Sequence, residues 1–268
     1  MSDFLPVLYA IALWWASTAI LLALVRRPRD THGRLVAGAT LCGLAGIVGV
    51  LLLRNDASVF GHCAAFACAI AVWAWQETAF LTGHVTGPRV QPSLATPGSA
   101  RHFRHAVASL LYHELFLLAL VALLWVLTLN AANPVAWQVF ALLWVMRLSA
   151  KLNLFFGVRN TGVELLPAHL AHLRNYFARR GMNLLFPVSI TAGTVALVVL
   201  LLDAQARMLA GADASAPLLL GTLLALALFE HWLMVLPWTG EALWRVALPP
   251  SPDGAANPAV RHSPGATN

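Results

Sequence analysis

Charge is what this chain has least of: 10% of its 268 residues are Asp, Glu, Lys or Arg, and only one of them, Lys151, is a lysine. A soluble domain carries about 25% charged residues, so that class is excluded. Cysteine is also scarce. Cys42, Cys63 and Cys68 all lie in apolar stretches without metal-type CxxC spacing, which excludes a disulfide framework and reads as small buried thiols. No GxGxxG, Walker A, GxSxG or HExxH pattern occurs, so nothing signals a nucleotide site or a hydrolase. The chain is instead 59% hydrophobic, with a mean hydropathy of +0.73.

That apolar content falls into runs. A bilayer-spanning helix needs roughly 20 apolar residues, and the hydropathy predicts spans at 4–25, 34–53, 58–83, 106–129, 134–156, 182–202 and 215–238. The connections carry turn residues and charge, as in RRPRDTHGR, RNDAS, TGPRVQPSLATPGSARHFR and NAANP. The first run lacks a basic n-region and an A-x-A cleavage site, and reads as a retained span. Residues 1–249 are therefore predicted to form an all-α integral membrane bundle of about seven transmembrane helices. The small, Pro-rich tail 250–268 is predicted to be disordered and cytoplasmic.

The net charge of +6 and pI near 10 suit basic loops that set topology and touch anionic lipid better than they suit nucleic acid. With seven spans, alternate connections share a side. Of the 17 Lys and Arg residues, only Arg54 and Arg207 fall on one side. The positive-inside rule then places the N-terminus outside and the C-terminus in the cytoplasm. Of the tryptophans, Trp14, Trp15, Trp137, Trp238 and Trp244 fall toward span ends and read as interfacial anchors. Trp73, Trp75, Trp125, Trp144 and Trp232 are deeper, with packing as the default reading.

Ionisable residues inside a bilayer are costly, and each is a functional candidate. Span three carries Glu77 and, seven residues on along one predicted helical face, His84. Span four carries His113 and Glu114, span five Arg147, Lys151 and Asn153, span six Asn183, and span seven Glu230 and His231. At about 1.5 Å rise per residue these groups share a layer roughly 10–14 Å below the cytoplasmic boundary. Three readings of that layer stand. One is a structural network of ion pairs that fixes the helix arrangement. Another is a metal site drawn from Glu77, His84, His113, Glu114, Glu230 and His231, although no ExxH pair is present. The third is a site for a pigment, lipid or tetrapyrrole, with Arg147 and Lys151 facing an anionic group. Beside the layer, HLAHLRNYF is predicted to form an interfacial amphipathic helix, with His169 and His172 as a possible lid.

The segments RLSAKLNLFFGVRN, NYFARRGMNLLFPVS and EHWLMVLPW, together with WQETAFLTGHVTGP, YHEL and the LWW of span one, resemble the photosynthetic complex assembly protein 2 family. The resemblance runs from about Leu13 to Pro249. Where that family carries a short acidic patch after the KLNLFLG-type segment, this chain has VRNTGVELLP and keeps Glu164. The resemblance implies a bacterial inner-membrane protein that helps assemble the reaction centre and light-harvesting complex, or supplies or moderates bacteriochlorophyll for it. Lipid, pigment and photosynthetic subunits are the implied partners, and bacteriochlorophyll or a precursor the implied ligand. The recognisable positions are Glu77, His113, Glu114, Lys151, Asn153, Asn183, Glu230 and His231. The other function class held open is a membrane-embedded Glu/His metalloenzyme acting on a hydrophobic pigment or lipid.

Overall fold

The structure, a computed structural model, describes residues 4–163 and 166–237. The tail 250–268, Trp238, Trp244 and Glu164 lie outside the described residues. Among the described residues, seven helices are long and apolar enough to cross a membrane: α1 (Leu5–Val25), α2 (His32–Leu53), α3 (Val59–Leu81), α4 (Ala100–Leu127), α5 (Val135–Phe156), α6 (Leu185–Leu209) and α7 (Ser215–Leu233). No strand occurs among the described residues.

The helix ends follow local chemistry. Ser58 and Ser99 accept from the amides of Gly61 and His102, capping α3 and α4. Asn183 accepts from Leu185 and Phe186 to start α6, and Asp213 accepts from Ser215 to start α7. Helix α3 stops at Thr82 because Gly83 turns the chain with φ 82°, and α5 stops at Gly157 with φ 114°.

Helix α3 is the hub. Half of its most apolar window is buried by protein, against 6% for α1. Helices α1, α2, α5 and α7 pack around it, α4 packs on α5, and α6 lies outside on α7. The closest approach is α2 on α3, where Gly43, Gly46 and Gly49 leave room for Trp75, the Cys68 carbonyl and the Cys68 sulfur. Small residues at such a seam let two membrane helices come close without a hydrophobic driving force between them. Leu51, Leu52, Val195, Val199 and Leu202 point outward and are exposed, as a lipid-facing belt requires.

The two ends of the bundle are built differently. At the end where α3 begins, the connections are short. At the end where α3 finishes, the long connections 82–99 and 157–184 fold onto one another. Ser93 N–H donates to Asn175 Oδ1 at 2.8 Å, Arg89 Nε donates to the Tyr176 hydroxyl at 3.1 Å, and that hydroxyl donates to Gln91 O. The amphipathic α-helix expected over HLAHLRNYF is a 3₁₀ segment, Ala168–Tyr176. Its Leu170, Leu173 and Tyr176 pack on Phe80, with Leu81, Ala106, Leu110 and Phe155 around them. The apolar stripe that suggested a lipid surface is spent on the protein itself.

Candidate functional site

Five helices bring their polar groups together. Glu77 on α3 accepts from Arg147 on α5 at 3.4 Å; the Glu77 side chain is 6% exposed and the Arg147 side chain 45%. Glu230 on α7 accepts from the indole N–H of Trp14 on α1 at 3.2 Å. Glu114 on α4 takes Lys151 Nζ at 2.5 Å and Trp144 Nε1 at 3.2 Å, both from α5. Three carboxylates thus meet two cations. Glu230, held by an indole rather than a cation and still exposed, is the carboxylate left over.

Not every predicted member lines this charge layer. His231 donates through Nδ1 to Ala227 O, so its Nε2 accepts from the Ser149 hydroxyl at 3.0 Å. Asn153 donates to Ser149 O and Ser189 Oγ. Asn183 donates to Asn153 Oδ1 and Gly157 O while capping α6. These three pin α5, α6 and α7 together and have little capacity left for a ligand. His84 does not share a helical face with Glu77, because α3 ends at Leu81 and Gly83 turns the chain away.

His113 is fully buried, and its ring stacks on Phe80 with centroids 4.5 Å apart. Neither of its nitrogens has a protein hydrogen-bond partner; the same holds for both amide atoms of Gln76 and for Glu77 Oε1. A buried polar atom left unpaired costs about 1–3 kcal/mol, so this cluster calls for a hydrogen-bonding partner beyond the protein's own side chains, an ordered water or a ligand. Lys151 sits 5.7 Å from the Phe80 centroid on the same wall. Gln76 was overlooked as a site residue although it directly precedes Glu77. Trp14, read as an interfacial anchor, is a hydrogen-bond donor to the layer. Only the packing of α1 against α7 reveals that.

The metal-ligand grouping does not form. Among the described residues no three His, Cys, Asp or Glu side chains converge. Glu77, Glu114, Glu230 and His231 each face Arg147, Lys151, Trp14 or Ser149 instead.

At the capped end a cleft of about 360 Å³ is lined by His32, His84, His169 and His172, with Arg29, Thr82, Gly83, Thr86, Val90 and Leu170. Burial pushes the pKa of His169 below its ordinary value, against a hydrogen bond to Leu81 O that raises it. Burial does the same to His172 against a bond to the His169 backbone. Both rings are neutral at pH 7.

These features define the class: a multi-pass helical membrane protein with a buried, partly unpaired polar layer and a histidine-lined cleft at one end. The chain belongs to the family described as "Protein of unknown function (DUF3623)", whose model matches residues 1–255. It is 38% identical over 264 residues to a protein of Rhodobacter capsulatus described as "Uncharacterized 30.4 kDa protein in puhA 5'region", covering 95% of this chain and 94% of that protein. No solved structure matches.

Proposed function

We propose that this protein is an inner-membrane accessory factor for assembly of the photosynthetic reaction-centre and light-harvesting complex. It handles or moderates bacteriochlorophyll through the polar layer of α1, α3, α4, α5 and α7. The relative named for the puhA 5' region supports a link to the reaction centre. The observation that carries the ligand reading is Arg147 with Glu230: two ionisable side chains at membrane depth that pack among helices and yet keep accessible surface. Ionisable side chains inside a membrane that keep accessible surface are retained where they meet a substrate or partner. Such a layer suits a largely apolar ligand with a polar, hydrogen-bonding edge. The carboxylate of Glu230 and the guanidinium of Arg147 hold that edge, while Trp14 and Trp144 border it. The distribution of basic residues supports an outside N-terminus and a cytoplasmic capped end.

The experiment is gentle purification from a phototrophically grown strain, followed by pigment extraction and identification of co-isolated subunits. Wild-type protein is expected to carry bacteriochlorophyll, a precursor or reaction-centre subunits, and Glu230→Gln to lose the pigment while remaining folded. Repeated isolation with neither pigment nor photosynthetic partner overturns the proposal. Fusing a reporter active only in the cytoplasm to each terminus tests the orientation; activity at the N-terminus overturns it.

A further inference from the structure

The histidine cleft is separate from the charge layer, and its hydrogen bonds assign it a chemistry of its own. His169 Nε2 lies 2.8 Å from Leu81 O, and His32 Nε2 lies 3.2 and 3.1 Å from Val25 O and Arg27 O. A carbonyl can only accept, so both Nε2 atoms carry a proton, and in the neutral ring the lone pair is on Nδ1. His84 Nδ1 lies 2.9 Å from Thr82 Oγ1, whose own proton goes to Thr78 O at 2.7 Å. That hydroxyl therefore accepts, and His84 Nε2 is its free lone pair. His172 Nε2 is buried without a protein partner. Three imidazoles from three separate segments, His32, His84 and His169, thus each have one nitrogen tied to a protein acceptor and the other left as a donor of electrons in the neutral ring. Histidine that ligates a metal is oriented in this way, with its second nitrogen hydrogen-bonded to a backbone carbonyl or similar group.

The cleft is not built for a bare ion. Its imidazoles do not converge in threes, no carboxylate lines it, and Arg29 does. A dication would meet a cation and no balancing charge. The volume of about 360 Å³ falls in the range of small-molecule sites rather than ion sites. Val90 and Leu170 give it apolar walls, and Gly83 brings backbone against His169, where an added Cβ would lie 3.0 Å from the imidazole Cδ2. The His32 and His169 rings are 6.1 Å apart, so a ligand's metal is reached by one or two of them at a time.

We infer that this cleft binds a metal already held by an organic chelator, which offers one or two open coordination positions to an imidazole while Arg29 meets negative charge on the chelator. Imidazole suits zinc, iron, copper and nickel alike, so the shared feature is the open position on the metal. This inference does not rest on the role proposed for the charge layer; either can fail alone.

The test is titration of the full-length protein in detergent with zinc protoporphyrin and, separately, with zinc ions, each against empty micelles. The chelate is expected to bind with the red-shifted Soret band of an imidazole-ligated zinc porphyrin, and zinc ions to bind much more weakly. The double variant His84→Ala/His169→Ala is expected to weaken chelate binding about tenfold or more, while His105→Ala, outside the cleft, leaves it within about twofold. Should the double variant misfold, His84→Gln and His169→Gln, checked by circular dichroism, carry the same expectation singly. A wild-type protein that gives no band shift overturns the inference. So does a shift that survives the cleft variants, or tight histidine-dependent binding of zinc ions without binding of the chelate.

Discussion

The two ends of the bundle handle polar groups in opposite ways. Where α3 begins, no buried side-chain polar atom among the described residues is left without a partner. Asn133 donates to Leu53 O at 3.2 Å and Asp56 O at 2.9 Å and accepts from Val135 N–H. His62 Nδ1 meets Asp213 Oδ2 at 3.0 Å and Ser215 Oγ at 2.7 Å. Among the described residues, the six side-chain atoms buried without a partner, on Gln76, Glu77, His113 and His172, all lie in the half where α3 ends. One end closes the bundle and the other keeps unspent hydrogen-bonding capacity. A protein under selection for stability alone would have paired or removed those groups, since similar apolar side chains would serve the fold as well or better.

This contrast can be broken by substitution. The largest effect is expected from Lys151→Ala, which strands the half-buried Glu114 carboxylate and should cost about 3–5 kcal/mol. The double change Lys151→Met/Glu114→Leu should recover most of that loss in thermal unfolding in detergent. If the single change is harmless, the pair is not structural. At the answered end, Asn133→Ala removes three hydrogen bonds and should cost about 1–3 kcal/mol, read as a lower Tm.

In the unpaired half the sign should reverse. His113→Phe replaces an unbonded ring by an apolar one of similar shape, stacked on Phe80. We expect Tm to hold or rise by the equivalent of about 1 kcal/mol while complementation of a deletion strain is lost. A destabilised variant would show that His113 has a bonding role.

The smallest effect is a pH dependence at the answered end. Burial raises the Asp213 pKa, but bonds from the Ser215 hydroxyl and amide and from His62 outweigh it and hold the carboxyl below its ordinary 3.8. A carboxylate with a depressed folded pKa contributes its stability above its unfolded value and loses it as pH falls through the folded one. The Tm advantage of wild type over Asp213→Asn should therefore be full near pH 6, about 1 kcal/mol at most, and shrink as pH falls below the ordinary carboxylate range. An advantage that stays constant down to the pH of acid unfolding would mean that the contact is not ionic.

Hydropathy marked each of the seven helices, because a span must satisfy its own backbone and show apolar side chains to lipid, and both demands are written locally. Edges were harder to read. Helix α4 starts at Ala100 rather than near 106, and α6 runs on to Leu209 past the expected 202, because charged residues such as Arg101, Arg104 and Arg207 extend a helix beyond the hydrocarbon. The polar layer was legible as a set of residues at matching distances from span ends. His32 was not, since a lone histidine after a basic turn has no periodic signal. Its place in a cleft depends on two connections, 82–99 and 157–184, folding over α2.

Sequence by itself therefore determined that the chain is membrane-borne, how many helices it sends across, and which few ionisable side chains enter the apolar layer. Each of those follows from the cost of moving polar groups out of water, which acts residue by residue. The pairing of those side chains was a matter of tertiary structure alone. Glu77 meets Arg147, Glu114 meets Lys151 and Glu230 is left to an indole, because which helix neighbours which is set by small-residue seams and loop contacts far apart in the chain. The same packing turned His84 away from Glu77 and gathered it with three other histidines. The scarce charge of this sequence names the participants, and the bundle decides their partners.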